Sequence, residues 1–276
     1  MAVLTTVRRV RRATVAGLCY PADAAVLRDT VERLASSSHP RISCVGAVIP
    51  HGGYHYSGAV AGQTLGRVAV PRRCVILAPN HTGAGPAWSL MPEGAYATPL
   101  GEVAIDEPLA QAFVEACPLL EADGLAHRGE HAIEVALPFL QVLAPEGLTI
   151  VPVVIGSEQA DEVERVAQAL AGCLARETEP VLVVASADLS HYEPRDAVAD
   201  KDAQMLEAIL ALETAAFLQR MRDLRVTTCA GAPIACLLAT VRRLGASVAE
   251  LVRYATSAEA GGDPQSATGY AGVVFH

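Results

Sequence analysis

CVGAVIPHGGYHYSG, residues 44–58, begins as an unbroken apolar run and ends in a Pro-His-Gly-Gly knot followed by three more aromatic or imidazole rings. An apolar run with no polar alternation describes a strand covered on both faces, as in the sheets of α/β proteins. Polar rings at the end of such a strand are costly to desolvate unless something binds or hydrogen-bonds them, so this strand end marks a site.

The same reading extends along the chain. Buried strands are expected at Ile42 to Ile49, Cys74 to Ala78, Thr149 to Ile155, Val181 to Ala185, Ala249 to Ala255 and Tyr270 to Phe275. Apolar residues at helical spacing mark Asp23 to Ala35, Ser57 to Val68, Glu107 to Ala116, His131 to Leu143, Asp161 to Arg176, Arg195 to Leu212 and Thr228 to Leu244 between them. This alternation predicts an α/β sandwich, a central mixed or largely parallel sheet flanked by helices. Pro138 either kinks the fourth helix or marks its start, because proline has no amide hydrogen to donate. Gly83 to Pro99 and Ala258 to Ala267 read as loose segments, no repeat or linker divides the chain, and residues 1–276 are expected to form a single domain.

Composition narrows the function classes. Hydrophobic residues make up 51% and charged residues 18%, yet no apolar run approaches the roughly 20 residues of a membrane span. With a net charge of −9 and one dense basic cluster, Arg8-Arg9 and Arg11-Arg12, the chain lacks a nucleic-acid footprint, and the cluster reads as a solvated N-terminal arm. The segment after that cluster is weakly apolar and is broken by Pro21 and Asp23, which argues against a cleaved signal. Seven cysteines at scattered positions, with no paired spacing, point to reduced thiols and a cytoplasmic setting.

Three apolar runs finish with a histidine within a few residues: His51 after Val48-Ile49-Pro50, His81 after Ala78-Pro79-Asn80, and His191 after the Ala185 to Ser190 stretch. The carboxyl ends of strands line the ligand crevice of open α/β sheets, so these imidazoles are placed to converge on a metal. Two histidines with one anionic ligand leave positions open for substrate, dioxygen or water. Asp188, Glu130, Glu134 and Cys229 are the candidates for that ligand. Cys229 stands where a loop enters a helix, a position expected to lower its thiol pKa, although a small buried hydrophobe is the competing reading. His131, behind Glu130, can orient a ligand or donate a proton. Asp188, Ser190 and His191 lie too close in the chain for a Ser-His-Asp triad, and no G-x-S-x-G elbow is present. HTGAGP at 81–86 lacks the spacing of a phosphate loop.

Taken together, VAGLCYPAD (15–23), PHGGYHYSG (50–58), APNHTGAG (78–85), EHAIEVALPFL (130–140), ASADLSHY (185–192), CAGAPI (229–234), YATSAEAGGD (254–263) and TGYAGVVF (268–275) resemble the Memo family. Its bacterial and archaeal members are called AmmeMemoRadiSam system protein B. The resemblance implies a fold like the class III extradiol dioxygenases, non-haem iron enzymes that open catechol rings with two histidines and a glutamate on iron. It implies His51 and His81 as metal ligands, Cys229 in place of the glutamate, and His191 as the acid/base residue. Asp188 and His131 then line the pocket, and Tyr54, His55 and Tyr192 are expected to shape it around substrate. Cys19, Gly52 and Ala230 depart from the family's usual Phe, Ala and Gly.

Fe(II) is the expected cofactor, with Zn or Cu also suited to sulfur. The expected partners are a small molecule or peptide in the metal cleft and companion AmmeMemoRadiSam proteins, with no nucleic acid or membrane. Three functions remain open: an iron oxygenase acting on an aromatic or catechol-like molecule, a non-catalytic metal-binding or redox-linked interaction protein, and a zinc hydrolase using Glu130, Glu134 or Asp188 as base.

Overall fold

A computed structural model describes residues 9–229 and 231–276; Arg8 of the basic cluster and Ala230 of CAGAPI lie outside the described residues. In chain order the first half comprises β1 (Val10–Arg11), α1 (Ala24–Leu34), β2 (Gly46–Ile49), α2 (Gly58–Arg67), β3 (Arg73–Pro79), β4 (Trp88–Leu90), β5 (Ala95–Thr98), β6 (Gly101–Ile105), α3 (Glu107–Ala116), β7 (Glu121–Ala122) and α4 (Ala132–Leu143). The second half comprises β8 (Thr149–Ile155), α5 (Ala160–Leu174), β9 (Val181–Ser186), β10 (His191–Glu193), α6 (Arg195–Leu210), α7 (Thr214–Asp223), α8 (Gly231–Arg243), β11 (Ala249–Thr256) and β12 (Ala267–Phe275).

These strands form one mixed sheet of 12 strands whose spine runs β1-β5-β6-β8-β3-β9-β2-β12-β10. Its centre is parallel: β3 lies between β8 and β9, and β2 pairs with the other edge of β9. Beyond β2 the sheet turns antiparallel through β12 and β11. Parallel central strands need helices on both faces, and the uninterrupted apolar segments Val75–Ala78 and Leu182–Ala185 are buried accordingly. The mixed α/β sandwich expected from the sequence is therefore the fold.

Three local expectations are corrected. The first strand starts at Gly46, and Ile42 makes only an isolated bridge to Val68. Gly83 to Pro99, expected to be loose, contains β4 and β5, two short pieces that add to the sheet through β8 and β6. Helix α7 was not anticipated; its sequence TAAFLQRMRD buries only Phe217 and Leu218, too few for a periodic signal. Pro138 lies inside α4, which starts at Ala132. Among the described residues no helix is long and apolar enough to cross a membrane.

Of the described residues of the basic cluster, Arg9 and Arg12 are exposed as expected of a solvated arm, but Arg11 is not. Arg11, 7% exposed, donates to the Glu134 carboxylate on α4 and to the carbonyls of His127 and Glu130. Glu134, fully buried, also accepts from the Thr14 and Val15 amides and from the Tyr20 hydroxyl. Burial favours the neutral acid, but the hydrogen bonds from Tyr20, Arg11 and Val15 outweigh it and hold the Glu134 carboxyl below its ordinary range. Replacing Arg11 with alanine strands that buried charge, at an expected cost of about 3–5 kcal/mol. Thermal unfolding should show a melting point lower by on the order of 10 °C. The Arg11→Leu/Glu134→Leu double variant should recover part of the loss, and a double variant no better than Arg11→Ala would disprove the pairing.

Candidate metal centre

Three adjacent parallel strands, β2, β9 and β3, each deliver a polar side chain two residues past the carboxyl end: His51 after β2, His81 after β3 and Asp188 after β9. The register that sets Ile49 beside Ser186 puts His51 next to Asp188, whose Oδ1 accepts the His51 amide at 2.8 Å. One ligand atom each from His51, His81 and Cys229 lies within 4.8 Å of the other two. His51 Nε2 is 3.5 Å from Cys229 Sγ, and the His51 and His81 rings meet edge-on with centroids 5.2 Å apart.

Buried partners fix which nitrogen of each imidazole faces the others. Ser186 Oγ donates to the Ala132 carbonyl at 2.7 Å, so its one hydrogen is committed and it accepts from His51 Nδ1 at 3.2 Å. His81 Nδ1 donates to Glu130 Oε1 at 2.9 Å, while Glu130 also accepts the His81 amide at 2.7 Å and the Ala132 amide at 2.8 Å. Both rings thus carry hydrogen on Nδ1 and keep the Nε2 lone pair for a metal, the arrangement by which outer partners orient ligating histidines. Glu130 is an orienting carboxylate more than a ligand, although His81, Glu130 and His131 form a second group compact enough for a cation.

Charge in the cleft follows from burial first. Desolvation lowers the pKa of His51 despite Asp188, and it likewise lowers His131 and His191, leaving three neutral imidazoles at neutral pH. His81 moves up, because its hydrogen bond to Glu130 overcomes the cost of burial. Glu130, held against burial by His81, drops to about 2. The expectation for Cys229 is corrected: burial, reinforced by Asp188, pushes its thiol up to about 12. The thiol precedes α8 by two residues, and the dipole of that helix does not offset desolvation.

The remaining site residues divide. His191 Nε2 lies 3.5 Å from Cys229 Sγ. The His131 ring stands 4.7 Å from His81 and 5.5 Å from His51, centroid to centroid. Tyr192, 75% exposed with φ 59°, sets its ring 5.5 Å from His191. Tyr54 is buried, donates its hydroxyl to the Val135 carbonyl at 2.9 Å and packs on Phe139, and its edge lines the same surface cleft as His55, away from the metal ligands. His55 is exposed and lies against Tyr56, lining a surface cleft with Leu18 and Cys19. Glu134 is bound up with Arg11 and is no candidate for ligand or base. Ser190, tested as part of a triad, gives its hydroxyl to Asp202. Ser186 went unnoticed in the sequence, where it is one hydroxyl closing the run VLVVAS.

A family model described as Memo-like protein matches residues 11–274. The chain belongs to the Memo family. Among its Memo relatives, a MEMO1 family protein of Methanopyrus kandleri is 38% identical over 278 residues, covering 96% of this chain and 98% of that protein. Another, from Methanothermobacter thermautotrophicus, is 35% identical over 274 residues, covering 95% and 99% respectively. The crystal structure of an uncharacterized Escherichia coli K12 protein shares the Memo chain's fold, with a TM-score of 0.54, 13% identity, and coverage of 84% of this chain and 99% of that one.

The Glu130–His81 pair gives this Memo protein a pH signature. A carboxyl whose folded pKa is depressed from 4.5 to about 2 contributes stability that is complete above 4.5 and disappears as pH falls toward 2. Metal-free Glu130→Gln should therefore lose melting temperature relative to wild type at neutral pH and converge with it as the medium is acidified. Its metal affinity should fall about 10- to 100-fold, as when other outer partners of ligating histidines are lost. Parallel melting curves for the two proteins across the whole acid range would refute the pairing.

Proposed function

We propose that this Memo-family protein is a non-haem iron oxygenase-like enzyme acting on an aromatic or catechol-like small molecule. The observation that carries the reading is the convergence of His51, His81 and Cys229, with both imidazoles presenting Nε2 and a third ring, His191, against the same sulfur. Two imidazole nitrogens and a sulfur with open positions are a donor set that fits Fe(II) and also suits zinc and copper. Bound there, Fe(II) would supply the redox chemistry with dioxygen and the Lewis acidity that makes a phenolic hydroxyl easier to deprotonate.

The chain's own residues do the rest. His51 and His81 hold the metal, and Ser186 and Glu130 keep their rings turned toward it. His191 is neutral, and its Nδ1 is buried with no hydrogen-bond partner among the described residues, which suits a ring that takes a proton from the substrate hydroxyl and later returns it. Asp188 holds the His51 backbone and stands 3.8 Å from His51 Nε2, and His131 walls the cleft opposite. Tyr192 offers an exposed ring beside His191 on which a flat substrate can stack. Anaerobic Fe(II) loading followed by oxygen uptake with a panel of catechols tests the proposal; no uptake with any member would defeat it.

Sulfur in the third position favours a second reading, a redox-linked protein that holds metal without turnover and receives a peptide or a companion AmmeMemoRadiSam protein in the cleft. That protein would lose its metal with Cys229 yet never release a ring-cleavage product. A zinc hydrolase is less well supported, because Glu130 and Glu134 are committed to His81 and Arg11 and only Asp188 remains as base.

A further inference from the structure

We infer that Asp202, on α6, is the positioning residue of the loop that carries Asp188 and His191: its buried carboxylate sets where the His191 ring stands beside Cys229. Asp202 is fully buried, and among the described residues no Lys, Arg or His forms an ion pair with it. Its Oδ1 accepts the Ser190 amide at 3.0 Å and the Ser190 hydroxyl at 2.5 Å, and its Oδ2 accepts the Tyr254 hydroxyl at 2.8 Å. A carboxylate buried with hydrogen bonds alone is expensive, and an apolar side chain of similar size would fill the space at lower cost.

The surroundings are shaped for it. A Cβ added to Gly269 on β12 would fall 1.7 Å from Asp202 Oδ2, so only glycine admits the carboxylate there. The same glycine brackets the loop, accepting the Leu189 amide at 2.9 Å and donating its own amide to the Ser190 carbonyl at 2.9 Å. One residue further, the His191 amide donates to the Thr227 carbonyl, and Thr228 donates its hydroxyl to the Asp188 carbonyl. The loop with His191 is thus stitched on one side to the segment holding Cys229 and on the other to Asp202. Asp202 touches neither the metal ligands nor the open cleft, so it acts through Ser190.

The functional consequence rests on the reading of His191 as proton carrier; the geometric claim does not. The test is NMR of metal-free protein with 15N-labelled histidine rings, together with amide hydrogen exchange. In Asp202→Ala the His191 ring resonances should move, and the Ser190 and His191 amides should exchange at least about tenfold faster. The His81 resonances should stay in place as internal reference. Asp202→Asn should restore the wild-type pattern, since its amide oxygen can accept from Ser190 and its NH2 can donate to Tyr254. If Asp202→Ala does not fold, Ser190→Ala, which removes the hydroxyl bond alone, should move the same resonances in the same direction by less. A variant that melts earlier while the His191 ring and these amides stay unchanged would reduce Asp202 to a stabilising contact and overturn the proposal. An unchanged reaction rate in His191→Ala would instead remove the proton-carrier reading and leave the Asp202 geometry standing.

Discussion

Metal affinity should fall by well over about 100-fold when Cys229 is replaced by alanine, a larger loss than that expected from removing an outer partner. The sulfur is the one anionic donor among the three atoms of the proposed ligand set, and its removal leaves two imidazole nitrogens with no charged donor to bind a dication. With the thiol pushed up to about 12, a metal must expel its proton on binding, so wild-type affinity should rise by up to about tenfold per pH unit near neutrality. Cys229→Ala should lose that slope along with its affinity. Titration with Co(II), followed by the thiolate-to-metal absorption band, reads both effects. Cys229→Ser retains volume and polarity and separates loss of the ligand from collapse of the loop. Undiminished Co(II) affinity in both variants would remove sulfur from the site.

His191→Ala should lower turnover by about 100- to 10,000-fold, the usual range for removing a positioned acid/base group. Metal binding should be nearly unchanged, because His191 is not one of the three ligand residues and its hydrogen-bond contact with the set, among the described residues, is with Cys229 Sγ. The pH profile is diagnostic. Burial lowers the His191 pKa, so the neutral base is populated down to more acidic pH than for a free imidazole, and activity should fall only below that range. The acid limb should vanish in His191→Ala, and a variant that keeps both its rate and its limb would assign the proton to another group.

Much of this was legible in the sequence because strand ends are fixed by hydrophobicity and their neighbours follow. Val48-Ile49, Leu77-Ala78 and Val184-Ala185 are apolar enough to declare three central strands, and the histidines beyond them could only lie at the carboxyl rim. Cys229 needed the family resemblance, since a cysteine before a helix also reads as packing. What stayed hidden is long-range and polar. Glu134 reads as one acid on an amphipathic helix until Arg11, 123 positions away, is seen to reach it. Tyr54 stands among glycines and histidines like a pocket residue, yet its partner is a backbone carbonyl on α4, and backbone acceptors leave no mark in sequence. The thiol pKa failed for the same reason: helix position is local, but burial beside His51, His191 and Asp188, remote in the chain, is not.

Ala132, the first residue of α4, has a part in both imidazoles: its carbonyl receives Ser186, which steadies His51, and its amide binds Glu130, which steadies His81. Whatever shifts that helix end therefore carries both rings in the same direction, and their separation is protected even while their absolute positions fluctuate. Because Arg11 anchors α4 two residues further on, at Glu134, slackening of the amino-terminal strap reaches the two nitrogens as a common drift, so the pair should fail together as one clamp.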